Sequence, residues 1–159
     1  ESMGNKQAKP IALASVDDVF GVPAEACFEV LNSLSLPAWV LLAALPKWRA
    51  TRQLTLLPVY AHALAYAVML ATFVMETEVS LDAFLSLEGI ADMFTHKVAL
   101  LAGWLHYLAF DLLVGRMIVH DALERQVPHM LCVPCLFLTF MAGPIGWLLY
   151  QVVRSVYGR

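Results

Sequence analysis

The stretch AGWLHYLAFDLLVGRMIVHD, residues 102–121, constrains the fold more than any other segment. It is long and apolar enough to cross a bilayer as a helix, a task that takes about 20 mainly apolar residues. Yet Asp111 stands near its middle and Arg116 closer to one end. Three further runs qualify by the same measure: about Ala26 to Leu45, Leu54 to Val74 and Met130 to Val153, with the third span running from about Val98 to Val119. The chain is 60% hydrophobic and only 14% charged, whereas a soluble domain carries roughly 25% charged residues. Apolar residues run on continuously and do not alternate, which excludes the strands of a membrane barrel. The expected fold is all-α, an integral membrane four-helix bundle. A net charge of −3 with no long basic run gives no footprint for nucleic acid, so membrane lipids are the expected surroundings.

Short links, PKWRATRQ after span one and DALERQVPH after span three, force antiparallel neighbours. Spans one and two are expected to form one hairpin, and spans three and four another. In the longer link between spans two and three, Phe84, Leu87, Ile90, Ala91 and Phe94 fall at helical spacing, with Ser80 as N-cap. This pattern fits a short amphipathic helix at the membrane interface. A helix packed over the ends of the spans would use the same face.

One membrane domain, residues 25–155, follows a polar segment of residues 1–24 and precedes a tail of residues 156–159. The first 24 residues lack the basic start and apolar core of a signal peptide. Beginning at Glu1, the chain is expected either to have lost a targeting segment or to lack its start. Lys47, Arg49, Arg52 and Arg125 lie in the short links, which puts those links on the cytoplasmic or equivalent side and both termini opposite. Arg154 and Arg159 pull the other way.

Ionisable groups at bilayer depth mark functional sites by default. Five residues turn a helix by about 140°, so Asp111 and Arg116 cannot pair along one face. Asp111 shares its stripe with Trp104, Tyr107, Leu108, Gly115 and Ile118, where small Gly115 admits another helix. Two readings of Asp111 stand side by side. It is a proton-handling or ligand-polarising carboxylate, or a carboxylate satisfied by Thr139, a tyrosine or neighbouring backbone. Arg116 lies close enough to the boundary to reach lipid headgroups.

His62 and His106 lie inside apolar spans, where a neutral imidazole either ligates a metal, such as the magnesium of a chlorophyll, or is satisfied by a hydrogen bond. No metal site is expected, since no carboxylate–histidine repeat of a di-iron centre occurs. Cys132 and Cys135 in CVPC have no second pair to complete a zinc site and fit buried free thiols. Pro128, Pro134 and the AGPIG break predict a kinked fourth helix. Trp48 and Trp39 fit interfacial belts or core packing, while Trp104 and Tyr107 beside Asp111 suit a groove for a long, flat polyene.

The phrases LEGIADMF, LLAGWLHYLAFDLLVGRMIVHDA and PHMLCVPCLFLTFMAGPIGWLLY, in that order, carry a family resemblance. The chain resembles the ABA4-like family, four-span membrane proteins named for a plant chloroplast protein required to make neoxanthin from violaxanthin. The likeness covers roughly residues 25–155, is densest from Leu87 to Tyr150, and leans toward the bacterial and algal branch. It implies a role in xanthophyll formation in a photosynthetic membrane, plastid thylakoid or envelope. It points at Glu88, His106, Asp111, Arg116, Asp121, Pro144 and Gly146.

Neoxanthin formation is an isomerisation that opens an epoxide and removes a proton to give an allene. It needs an acid and a base: Asp111 is the candidate acid, and His106 or Glu88 the base. His62, His106, Trp104 and Tyr107 are the candidate pigment contacts, with carotenoid or chlorophyll as ligand. The alternative is a non-catalytic subunit that binds pigment or lipid and packs against a photosystem or antenna complex.

Overall fold

A computed structural model describes residues 18, 19, 21–77 and 81–157 of the chain. The expected N-cap at Ser80, most of the polar N-terminal segment and Arg159 lie outside the described residues. The protein is almost wholly helical. Helix α1 spans Ala24–Ala44, α2 Thr51–Leu54, α3 Leu56–Glu76, α4 Leu87–Met93, α5 Lys97–Glu124, α6 His129–Ala142 and α7 Pro144–Tyr157. Before α1, two residues on each side of Gly21 form a small antiparallel ribbon, β1 (Asp18–Val19) and β2 (Val22–Pro23), which the sequence reading did not anticipate. Its Val19 is buried against the bundle.

Among the described residues, three stretches are long and apolar enough to cross a membrane: Ala24–Ala44, Thr51–Glu76 and Lys97–Glu124. They answer to the first three expected spans. The fourth does not form as one. The run from Met130 to Val153 breaks at Gly143 into two helices of 14 residues each. At 1.5 Å per residue each reaches about 21 Å, short of the roughly 30 Å hydrocarbon core.

Nor is the break the kink that its proline and glycine suggest, for α7 folds back along α6. Gly146 lies directly on the Thr139 backbone and hydroxyl and the Cys135 carbonyl, three side-by-side contacts that no continuous helix could make and that leave no room for a Cβ. Farther along, the Tyr150 hydroxyl donates to Asp121 Oδ2 at 2.6 Å, and Arg154 Nε lies 3.3 Å from the same oxygen. Asp121 belongs to the last turns of α5, the end from which α6 departs. The hairpin therefore enters beside the end of α5, reaches about halfway along it, and returns to the same end.

This corrects the expected topology. The end of α7 lies with the two short links, not opposite them, and Arg154 joins Lys47, Arg49, Arg52 and Arg125 at one end of the bundle. Its pull against the other basic residues disappears.

Helix α5 is the axis of the fold. It packs against α1, α3, α6 and α7, and its buried stripe runs from Val98 to Ala122. Two cores meet along it. One gathers Val98, Leu101, Leu105 and Leu108 with Met69 and Phe73 of α3. The other gathers Leu112, Ile118 and Val119 with Trp39 and Leu42 of α1, Cys132, Cys135 and Leu136 of α6, and Tyr150 of α7. Only the second includes the hairpin. Of its two expected roles, belt or core, Trp39 takes the core: it is buried there, its ring packed against Gly115 and 5.5 Å from that of Phe140. Trp48 is exposed, as an interfacial residue would be.

The long link forms a 3-10 turn, Leu81–Leu85, followed by α4, which Ser86 caps by accepting from the Gly89 amide at 3.1 Å. Leu81, Phe84, Leu85 and Leu87 are all exposed, and neither piece contains a buried residue. Packing over the span ends does not account for them.

Gly146→Val should pry α7 from α6. Overpacking of this kind costs about 1–3 kcal/mol, so the variant's thermal midpoint in detergent should fall well below that of the native chain.

Candidate functional site

Asp111 sits at the midpoint of α5, between the two cores. It is 9% exposed, and its Oδ2 is buried without a hydrogen-bond partner. What faces it is the tip of the hairpin. A Cβ on Gly143 would stand 2.7 Å from Asp111 Oδ1, and Gly143 itself turns the chain at φ +46°. Both the positive φ and the close carboxylate exclude a side chain there. Pro144 then opens α7, a position where its missing amide hydrogen loses no helical bond. A carboxylate beside the start of a helix also gains from the positive end of the helix dipole.

Of the partners expected for Asp111, Thr139 is engaged elsewhere, donating to the Cys135 carbonyl at 2.8 Å. The tyrosine is Tyr107, one turn away on the same stripe, whose hydroxyl interacts with the Asp111 carboxylate.

Above the hairpin tip no fourth helix covers α5 among the described residues. The stripe that continues from Asp111 through Tyr107 and Trp104 to Leu100 is left partly open. A groove of about 290 Å³ lies between α1 and α5, lined by Phe28, Leu100, Leu101 and Trp104, with Glu25 and Lys97 at its mouth. Lys97 Nζ is 2.7 Å from Glu25 Oε1. A second hollow, about 320 Å³, opens on the other flank of Trp104 against Phe94, Gly103 and Tyr107. Trp104 stands between them, its indole donating to Asn32 Oδ1 at 3.1 Å and its ring 5.4 Å from that of Tyr107. The sequence reading placed Trp104 and Tyr107 beside Asp111. It missed Phe28, whose ring is 6.3 Å from Trp104, and Gly143. The AGPIG break was the available signal for the latter.

The remaining candidates are dispersed. His106 is exposed on a different face of α5, stacked on Phe110 at 4.6 Å and edge-on to Tyr66 of α3 at 5.4 Å. Glu88 is exposed in the first turn of α4. Neither stands on the Asp111 stripe. His62 is 0% exposed; its Nε2 lies 2.8 Å from the Leu31 carbonyl and its Nδ1 is buried without a partner. A macrocycle would have to separate α1 from α3 to reach it. Arg116 reaches inside the bundle's end and not simply to headgroups, donating to the Arg52 carbonyl at 2.8 Å and to the Thr55 hydroxyl.

Asp121 is structural by its contacts, held by Arg125 Nε at 2.9 Å, Tyr150 and Arg154. Cys132 and Cys135 are buried free thiols. Among the described residues no group of three or more His, Cys, Asp or Glu is placed to hold a metal ion.

Comparison with known proteins settles the family. Residues 26–150 match the family described as ABA4-like, ABA DEFICIENT 4-like. The chain belongs to the ABA4-like family. No curated protein matches the chain, and no solved structure does. The matched region of this ABA4-like chain takes in nearly all of α1, then α3, α5, α6 and half of α7 up to Tyr150, so the hairpin turn and the Tyr150–Asp121 contact fall within it.

Gly143→Ala should strain the turn and crowd the Asp111 carboxylate. A left-handed residue with a Cβ costs about 1–2 kcal/mol before any crowding. Combining it with Asp111→Ala, which frees space, should recover part of the lost thermal stability; simple additivity of the two losses would show that they do not touch.

Proposed function

We propose that this ABA4-like protein acts on a carotenoid within a photosynthetic membrane, plastid thylakoid or envelope, in xanthophyll formation of the neoxanthin type. The observation that carries the reading is the open aromatic stripe of α5, which runs from Leu100 through Trp104 and Tyr107 to a buried, incompletely partnered carboxylate. An apolar polyene fits such a groove, since aromatic faces and acyl-like surface bind it without polar cost. The family's link to neoxanthin supports the same substrate class.

The chemistry asks little of a second residue. As the epoxide oxygen takes a proton from Asp111, its C–O bond breaks. The adjacent vinylic carbon then gives its proton to the carboxylate, and the C–H electron pair becomes the new double bond of the allene. The carboxyl ends as it began, so one group serves as acid and then as base, with Tyr107 holding it in place. Neither His106 nor Glu88 needs to approach.

A second reading has its own support. The exposed Leu81, Phe84, Leu85 and Leu87 form an apolar surface that the bundle does not use, suited to the membrane boundary or to a photosystem or antenna subunit. His106, on the outer face of α5, is then the histidine that a chlorophyll could reach.

Expression in membranes that contain violaxanthin, followed by pigment chromatography, tests the proposal. An allenic product should appear with the native chain and fall by about a hundredfold or more with Asp111→Asn. An unchanged pigment profile, with the native protein folded in the membrane, would exclude the enzymatic reading and leave the accessory one.

A further inference from the structure

The end of the bundle that carries the short links holds another hollow, about 240 Å³, which plays no part in the reading above. Lys47, Arg49, Arg52, Arg116 and His120 line it, and among the described residues no carboxylate does. Arg116 is the key member. It is half-buried, and both acceptors that hold its Nη1, the Arg52 carbonyl and the Thr55 hydroxyl, are neutral. The Arg52 guanidinium lies near enough to repel it.

The acids of the adjoining turns are committed elsewhere. Asp121 and Glu124 face the hollow on the other flank of Arg116. Asp121 is held by Arg125, Arg154 and Tyr150, and Glu124 Oε1 lies 3.3 Å from His120 Nδ1. Like charges gathered at the edge of a low-dielectric region repel strongly. An anion would offset that repulsion, and the planar guanidinium fork matches phosphate oxygens.

The opposite wall is apolar: Leu42, Val119 and Leu123 line the same hollow, with Trp48 half-exposed at its rim. A basic pocket between helix ends, walled on one side by aliphatic surface, suits a charged headgroup whose chains lie along the bundle.

We propose that this hollow binds a phosphate group, presented as the headgroup of an anionic membrane lipid. Arg116 and Arg52 grip the phosphate oxygens, Lys47 and Arg49 add charge at the mouth, and the leucine wall takes the first methylenes of a chain.

Thermal unfolding of the full chain in dodecylmaltoside tests this with three probes: dioctanoyl phosphatidylglycerol, dioctanoyl phosphatidylcholine and inorganic phosphate. Phosphatidylglycerol should raise the midpoint and phosphatidylcholine should not. Arg52→Gln should shift the half-maximal lipid concentration upward about tenfold, the loss expected for one charge-assisted hydrogen bond. Because only the main chain of Arg52 receives Arg116, and the lost guanidinium is one that repels it, this variant should not lower the lipid-free midpoint; Arg116→Gln is the second variant. Inorganic phosphate as effective as phosphatidylglycerol, and equally weakened by Arg52→Gln, would keep the phosphate site and overturn its assignment to a lipid. No response to either phosphate, or a phosphatidylglycerol response unchanged in both variants, would overturn the site itself.

Discussion

A carboxyl group at the middle of a long apolar helix must be kept from acyl chains, and the rest of the architecture answers to that demand. An aspartate at the centre of a spanning helix costs about 2.5–3.5 kcal/mol in insertion. Here the irregular backbone of Gly143 is brought against Asp111, and the two awkward features shield each other. Broken helices are tolerated at membrane depth only where protein or a cavity surrounds them. The tip of α6 and α7 meets that condition because it lies against α5 and not in lipid. The Asp121–Tyr150–Arg154 cluster holds the hairpin at its open end, and Gly146 on Thr139 closes it next to the tip.

The hairpin's short reach has a consequence for function. A full fourth span would cover the Leu100–Trp104–Tyr107 stripe. Two half-length helices leave it open and stop at the level of Asp111. Groove and carboxylate therefore arise from one structural decision, the return of the chain at Gly143. The bundle also divides by role. The half with the hairpin is tightly filled around Tyr150, Leu136 and Trp39. The half without it offers apolar surface to lipid or ligand.

Much of this was legible in the residues. Length and hydropathy located α1, α3 and α5, and the helical period put Asp111 on an inward stripe with Trp104 and Tyr107. The same period separated His106 from Asp111, as the structure does. The fourth apolar run was misread because hydropathy measures how much apolar chain there is, not which way it runs. A span of 24 residues and two half-helices back to back have the same profile. What decides between them is distant in sequence: a tyrosine and an arginine of α7 meeting Asp121 of α5.

Arg116 was obscure for a similar reason, since its acceptors lie on α2 and the start of α3, more than sixty positions earlier. For Trp39 belt and core stood equally open in the sequence, and Gly115 of α5 decides for the core by giving its ring a place to pack.

The return of α7 is best tested by a distance between spin labels at positions 124 and 155, measured with the protein in lipid bilayers. Arg154 touches Asp121, so the hairpin predicts a separation below about 25 Å. A continuous fourth helix would carry position 155 to the opposite face, roughly 30 Å or more away across the hydrocarbon core. That longer distance would contradict the fold and, with it, the open stripe that leads to Asp111.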